Sequence, residues 1–344
     1  MTSQKQKKEP TEEEMKKILK ELDVMVVIPM HEEKNYAQES ITASKIGSLD
    51  TIEYYRIQCG GTLNYGLAVV GKGNMVTSQV TEKIIHQCQG IKLITLLGIG
   101  GSIDPTIKVC DVILGTEVIY YMDSSRIKDG ESTLQISCKH WLLDQEMVNF
   151  VQNLKNLEMS MYVKLQNKFP EQLEFMRSHS TICNEKPTIK SGKIASGESV
   201  IESTSFASKL RDSDRCLRVV ECEAAGVCQA AFGRELKVRM MVLRGIADLA
   251  NPDKDLLEKR VRKYAMNSVC MTLKLLLGNK EFEKIVLGKA KERKPSSWFK
   301  LKGFLSWKVK SRKLYRITKW VEKNSHKLAL LVGILGIVLS YLIR

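Results

Sequence analysis

The sequence has no Cys-x-x-Cys pair, and its five histidines are scattered. Nine cysteines, an odd number, without that pairing argue against a disulfide framework and against a zinc site. No metal and no cofactor is expected, and the thiols fit a reducing, cytosol-facing compartment. An apolar run is also missing from Met1 to Lys17, which is polar and charged, so no secretory signal is expected there. Internal repeats are absent. What remains is a chain of 344 residues, 43% of them hydrophobic, enough to bury a sizeable core in one large domain with appendages.

Positive charge is plentiful, with a formal net of +15, but it is unevenly placed. Lys289 to Lys327 holds 14 Lys/Arg against only Glu292 and Glu322, a local +12; with Arg344 set apart, the rest of the chain carries +2. A phosphate-backbone binder shows a basic stripe on a folded face, whereas here the excess is confined to a tail beside an apolar segment. Membrane lipid is therefore the expected partner of the tail, and nucleic acid is not. Lys289 to Ser297 reads as a solvated linker broken by Pro295. Beyond it, Trp298, Phe299, Phe304, Trp307, Tyr315 and Trp320 are interleaved with lysines and arginines, a pairing suited to lipid headgroups. Leu328 to Ile343 carries no charge. Its helix would rise about 24 Å, short of the roughly 30 Å hydrocarbon core. The expectation is a single-pass C-terminal anchor with the main domain in the cytosol, in a thin membrane such as the endoplasmic reticulum or the mitochondrial outer membrane.

Residues 1–22 thus read as a polar N-terminal segment, 23–288 as the main domain, 289–327 as a basic aromatic juxtamembrane segment and 328–343 as a transmembrane helix. In the main domain, apolar runs at Asp23–Met30, Leu67–Val70, Ile91–Leu97, Val109–Leu114, Lys193–Ala195, Arg218–Val220 and Val238–Leu243 predict buried strands. Helical spacing predicts helices over Met75–Cys88, Glu223–Phe232 and Asp255–Leu277. Strands alternating with helices define an α/β domain with a mixed central sheet flanked by helices. Residues 132–185 are helix-prone and without strand signals, and read as a helical insertion.

Three acids stand at the ends of apolar runs: Glu33 in V-V-I-P-M-H-E-E, Glu223 in V-V-E-C-E-A-A, and Asp248 in L-R-G-I-A-D-L-A. Cleaving a glycosidic bond to a poor leaving group asks for an acid to protonate the base and a second carboxylate to prepare water, with pKa values held apart by burial and hydrogen bonding. Each acid also has a plainer reading. Glu33 fits a solvated first-turn glutamate at a helix N-terminus, and Asp248 an N-cap before L-A-N-P-D. Glu223, set among Cys222, Ala224, Ala225 and Gly226, is harder to leave solvated. Glycine clusters at Gly71–Gly73 and Gly98–Ser102 mark strand exits where backbone amides can approach a ligand.

G-I-G-G-S-I-D-P-T-I-K-V-C-D-V at Gly98 to Val112 resembles the G-S-A-G-G-L-x-P-x-L-x-V-G-D-I signature of the nucleoside phosphorylase and nucleosidase superfamily. V-E-C-E-A-A and R-G-I-A-D likewise resemble the V-E-M-E-A-A and R-x-I-S-D motifs of its methylthioadenosine/adenosylhomocysteine nucleosidases, in family order, and the likeness runs from about Asp23 to Gly278. The resemblance implies a nucleoside phosphorylase-like fold and a purine nucleoside or nucleotide substrate, and a homodimer is the expected assembly. It implies Glu33 as the base that activates water, Asp248 as the proton donor to purine N7, and Glu223 as the holder of the ribose 2′ and 3′ hydroxyls. Arg244 would support the acids, while Gly98, Ile99, Cys222, Val200 and Ile201 would line the substrate.

Phosphorylases of the superfamily carry a G-D-P-x-R loop near the start and an Arg-x-Gly-Ser in the glycine loop. This chain has I-P-M-H-E-E and Leu96-Leu97-Gly98-Ile99 instead. A phosphate would face aliphatic side chains, so hydrolysis is favoured over phosphorolysis. Ile99 replaces a serine, Cys222 a ribose-contacting methionine and Val200 a purine-stacking phenylalanine. Those departures leave open a membrane adapter that binds without turnover, or an effector that cleaves nucleotides. His31, Lys34 and Lys72 are candidate phosphate contacts, though a solvated role is the simpler reading.

Overall fold

A computed structural model of the chain describes residues 10–122, 139–233, 238–253 and 259–288. The expected juxtamembrane segment and transmembrane helix lie outside the described residues. No helix among the described residues is long and apolar enough to cross a membrane. The strands are β1 (Val24–Ile28), β2 (Ala43–Leu49), β3 (Ile52–Ile57), β4 (Tyr65–Val69), β5 (Leu93–Ser102), β6 (Val112–Tyr120), β7 (Lys139–Leu142), β8 (Ile189–Ser196), β9 (Leu217–Glu221) and β10 (Arg239–Asp248). The helices are α1 (Glu12–Lys20), α2 (His31–Ser40), α3 (Asn74–Gln87), α4 (Gln145–Asn153), α5 (Leu157–Lys168), α6 (Pro170–Ser178), α7 (Thr204–Ser213), α8 (Ala224–Phe232), α9 (Lys259–Leu277) and α10 (Lys280–Val286).

Five consecutive apolar residues with no exposed member make β1 an interior strand, covered on both faces. It pairs in parallel with β4 on one side and β5 on the other. The full order is β10-β6-β8-β9-β5-β1-β4-β3-β2, with β7 on β6. Because β10 also pairs with β5, the strands β5, β9, β8, β6 and β10 close into a ring, and β1, β4, β3 and β2 extend from it. β5 runs parallel to β1 and β10 and antiparallel to β9, so the sheet is mixed.

Side-chain alternation along β1 divides the core in two. Val24, Val26 and Ile28 pack with Ala37 of α2, Met147 of α4, Met161 of α5, Val269 of α9 and Phe282 of α10. Met25 and Val27 pack on the other face with Met15 and Leu19 of α1, Ile84 of α3 and Val227 of α8.

Three elements depart from the sequence reading. The polar N-terminal segment contains α1, opened by a reciprocal Thr11/Glu14 cap, and its Met15 and Leu19 are buried against the sheet. β2 and β3 form a hairpin through Asp50 and Thr51, both at positive φ (49° and 69°), a turn usually announced by Asn-Gly. Residues 132–185 hold α4, α5 and α6, but also β7, a strand the composition did not reveal.

Candidate active site

Four strands deliver the candidate residues from their C-terminal ends. After β1, Pro29 and Met30 hand the chain to α2, whose first turn carries Glu33. β5 ends through Gly98, Ile99, Gly100 and Gly101. β9 ends at Glu221, and Glu223 is the N-cap residue of α8. β10 ends at Asp248, after a register shift that sets it opposite Gly101. Around these ends lies a cavity of about 520 Å³, the carboxyl-end position where ligands enter such sheets.

Glu33, Asp248, Glu223, Cys222, Ile99, Val200 and Ile201 all line this cavity. Gly98 and Arg244, expected among the substrate contacts, stand behind the wall, and the glycine is there to admit the arginine. In the β5/β10 register Arg244 faces Gly98, and a Cβ at Gly98 would lie 2.1 Å from Arg244 Nη1. At Gly101 a Cβ would lie 2.4 Å from Asp248 Oδ1. Both glycines clear room for side chains of the neighbouring strand.

Arg244 is wholly buried and organises the acids. Its Nη2 donates to Glu221 Oε2 and, at 3.2 Å, to Glu223 Oε2. Burial works against its charge, but Glu221, Glu223 and Glu33 outweigh that and raise its pKa. Glu221 Oε2 also accepts the backbone N–H of Glu223 (3.0 Å) and of Ala224 (2.9 Å), so it caps α8 as well. Glu221 lines the cavity and the sequence reading gave it no role, although it stands in the same V-V-E-C-E motif, two residues before Glu223. Arg262 and Glu32 also line the cavity, paired at 3.4 Å; Glu32 stands in V-V-I-P-M-H-E-E but was given no role, and no motif marked Arg262.

Glu33 lies in a first helical turn, as its plainer reading had it, but is only 3% exposed and not solvated. Its Oε2 has no hydrogen-bond partner. Burial raises its pKa from 4.5 to about 7, with Arg244 the largest opposing influence and Glu223 adding to the rise. Burial likewise raises the Glu223 pKa, against the pull of Arg244. Asp248 Oδ1 accepts the Ala250 N–H at 2.9 Å. Burial pushes the Cys222 thiol up to about 12, away from the thiolate form a nucleophile needs.

The remaining wall comes from the start of α3 and the loop after β8. Gly73, at φ +87°, precedes α3 without a side-chain cap. Its N–H donates to Glu223 Oε1 (3.4 Å), and the next N–H, of Asn74, donates to Glu198 Oε2 (3.3 Å). This helix N-terminus therefore already holds two of the protein's own carboxylates. The buried Asn74 side chain donates to Gly197 O (3.0 Å) and accepts from Gly226 N–H (2.8 Å) and Ser196 Oγ (3.1 Å). Val200, 45% exposed, forms an aliphatic wall. His31 is exposed, Lys34 reaches Tyr55 Oη at 3.2 Å, and only Lys72 of those three cationic candidates lines the cavity. Among the described residues no cluster of His, Cys, Asp or Glu is arranged for a metal.

The model of the phosphorylase superfamily matches residues 11–277, and the chain belongs to that family. It is similar to a 5′-methylthioadenosine/S-adenosylhomocysteine nucleosidase of Staphylococcus haemolyticus, 23% identical over 67% of this chain and 88% of that protein. The fold is shared with the nucleosidase of the same name from Neisseria meningitidis, solved with methylthio-immucillin-A (TM-score 0.55, 19% identity, 74% of this chain and 98% of that one). It is shared also with futalosine hydrolase of Helicobacter pylori (TM-score 0.52, 16% identity, 74% and 96%).

Proposed function

We propose that this chain is an N-glycosidase that hydrolyses an adenine nucleoside, or a derivative substituted at the 5′ position, to free base and the ribosyl product. The carrying observation is the meeting of Glu33, Glu223 and Asp248 on one cavity, with Glu33 buried beside a buried arginine. Asp248 donates a proton to purine N7 as the bond to C1′ lengthens. Glu223 holds the ribose 2′ and 3′ hydroxyls, its carboxylate aimed by Arg244 and the Gly73 amide. Glu33 takes the proton of the attacking water, for which a pKa near 7 suits a base working at neutral pH. Similarity to proteins named as methylthioadenosine and adenosylhomocysteine nucleosidases supports the same class of chemistry.

Water is favoured over phosphate as the acceptor. The N-terminus of α3, where an anion would otherwise gain most, is taken by Glu223 and Glu198, and Ile99 offers no donor side chain. The test is chromatography of adenosine, 5′-methylthioadenosine and 5′-AMP incubated with the purified chain. Free adenine without inorganic phosphate is expected; turnover only with phosphate, or binding without turnover, would contradict this reading. The tail carries a separate part of the proposal: its local +12 and uncharged 16-residue run support anchoring of the domain to a membrane from the cytosolic side.

A further inference from the structure

Two cations line the cavity that the proposed hydrolysis does not use. Lys72 lies in the exposed loop between β4 and α3, next to the Gly73 amide that touches Glu223. No carboxylate among the described residues pairs with it, and its charge is felt at the Cys222 thiol beside Glu223. Arg262, on α9, pairs with Glu32 through Nη2 and keeps a buried Nε without a partner. Its charge reaches Glu33. Both cations thus stand beside the residues assigned to ribose and water. Val200 and Asp248, assigned to the base, and their chain neighbours Ser199, Ile201 and Ala247 bring no positive charge.

Resting on the assignment of Glu223 to the 2′ and 3′ hydroxyls, the substituent these cations meet is carried on the 5′ carbon. We infer that the substrate is a purine nucleoside 5′-phosphate, its phosphate held by Lys72 with Arg262 as a second positive charge lining the same cavity. A thioether gains nothing from an ammonium and would strip water from it, whereas a phosphate makes a charge-assisted hydrogen bond. The acids of the cavity do not forbid the anion, because Glu221 and Glu223 share Arg244. In the reaction water forms the C1′–O bond as C1′–N9 breaks; the water proton goes to Glu33 and the proton of Asp248 to the base. The phosphate ester is untouched, and the products are adenine and ribose 5-phosphate.

The test compares kcat/KM of the full chain for 5′-AMP, adenosine and 5′-methylthioadenosine. AMP should be preferred, and Lys72→Met should lower the AMP to methylthioadenosine ratio about 10-fold to 100-fold, the worth of a hydrogen bond to a charged group. Lys72→Arg should keep most of it. Preference for methylthioadenosine, or a ratio unmoved in Lys72→Met, overturns the inference while leaving the nucleosidase reading intact. If no purine compound yields base, the nucleosidase reading fails, and calorimetry still decides this one. AMP must then bind tighter than adenosine and lose about tenfold in Lys72→Met; equal binding of the two sinks it.

Discussion

Replacing Glu33 by glutamine should make the protein more stable and less active at the same time. The folded chain holds the Glu33 proton up to about pH 7, while an unfolded chain releases it near the ordinary glutamate value of 4.5. Between those values the folded state binds more protons, so stability contributed by the neutral carboxyl is present at low pH and is lost as pH rises through 7. At about 1.4 kcal/mol per pH unit, raising pH from 5 to 8 should cost the wild type roughly 2–3 kcal/mol through this one group. Glutamine has the same shape and no charge to bury, so Glu33→Gln should be spared that loss. Urea unfolding of both proteins at pH 5 and pH 8 measures it. In the same preparation kcat should fall roughly 10²-fold, the usual worth of a general base. Equal losses of stability between pH 5 and pH 8 in the two proteins would refute the reasoning, because Glu33 would then not be a carboxyl whose burial the fold resists.

Wild-type activity should rise with pH through about 7 as Glu33 ionises, and a profile flat from pH 6 to pH 8 would remove it as the base. Asp248→Asn should lower kcat by roughly 10², measured as adenine release, since the amide has no proton to give N7. Arg244→Met should destabilise by about 3–5 kcal/mol at pH 8 in urea titration, because Glu221 and Glu223 are left buried without their cation. The loss should shrink as pH falls, because burial already raises the Glu223 pKa and a protonated Glu223 no longer needs the cation. Deleting residues 328–344 should release the protein from membranes, and the full chain should resist extraction by alkali; quantitative stripping by alkali would end the anchoring proposal.

Buried parallel strands announce themselves, and β1, β5 and β10 follow apolar runs because both faces are covered. The β2/β3 hairpin did not. Ser44, Lys45 and Ser48 make β2 polar, and Asp50-Thr51 turns the chain without the glycine that usually signals it. Among site residues, the three acids were legible because each ends an apolar run that becomes a strand. Glu221 was visible but undistinguished, since only the fold shows that one carboxylate both caps α8 and holds Arg244. Lys72 and Arg262 are 190 positions apart, and their meeting at one cavity depends on sheet order, which no local pattern encodes. Gly98 and Gly101 drew notice as a ligand loop, yet their use is to seat Arg244 and Asp248.

The Asn74 side chain bears on how this site could be rebuilt. It fastens the loop after β8 to the first turn of α8, so the residues proposed to face the base and the acid proposed to face the sugar share one bracket. Gly226 sits so close that a Cβ there would lie 2.1 Å from Asn74 O, which leaves the bracket no slack. Transplanting residues 196–201 from a relative to change base preference would disturb Glu223 unless position 74 travelled with them. On the proposed assignment, recognition of the base and grip on the sugar would be inherited together.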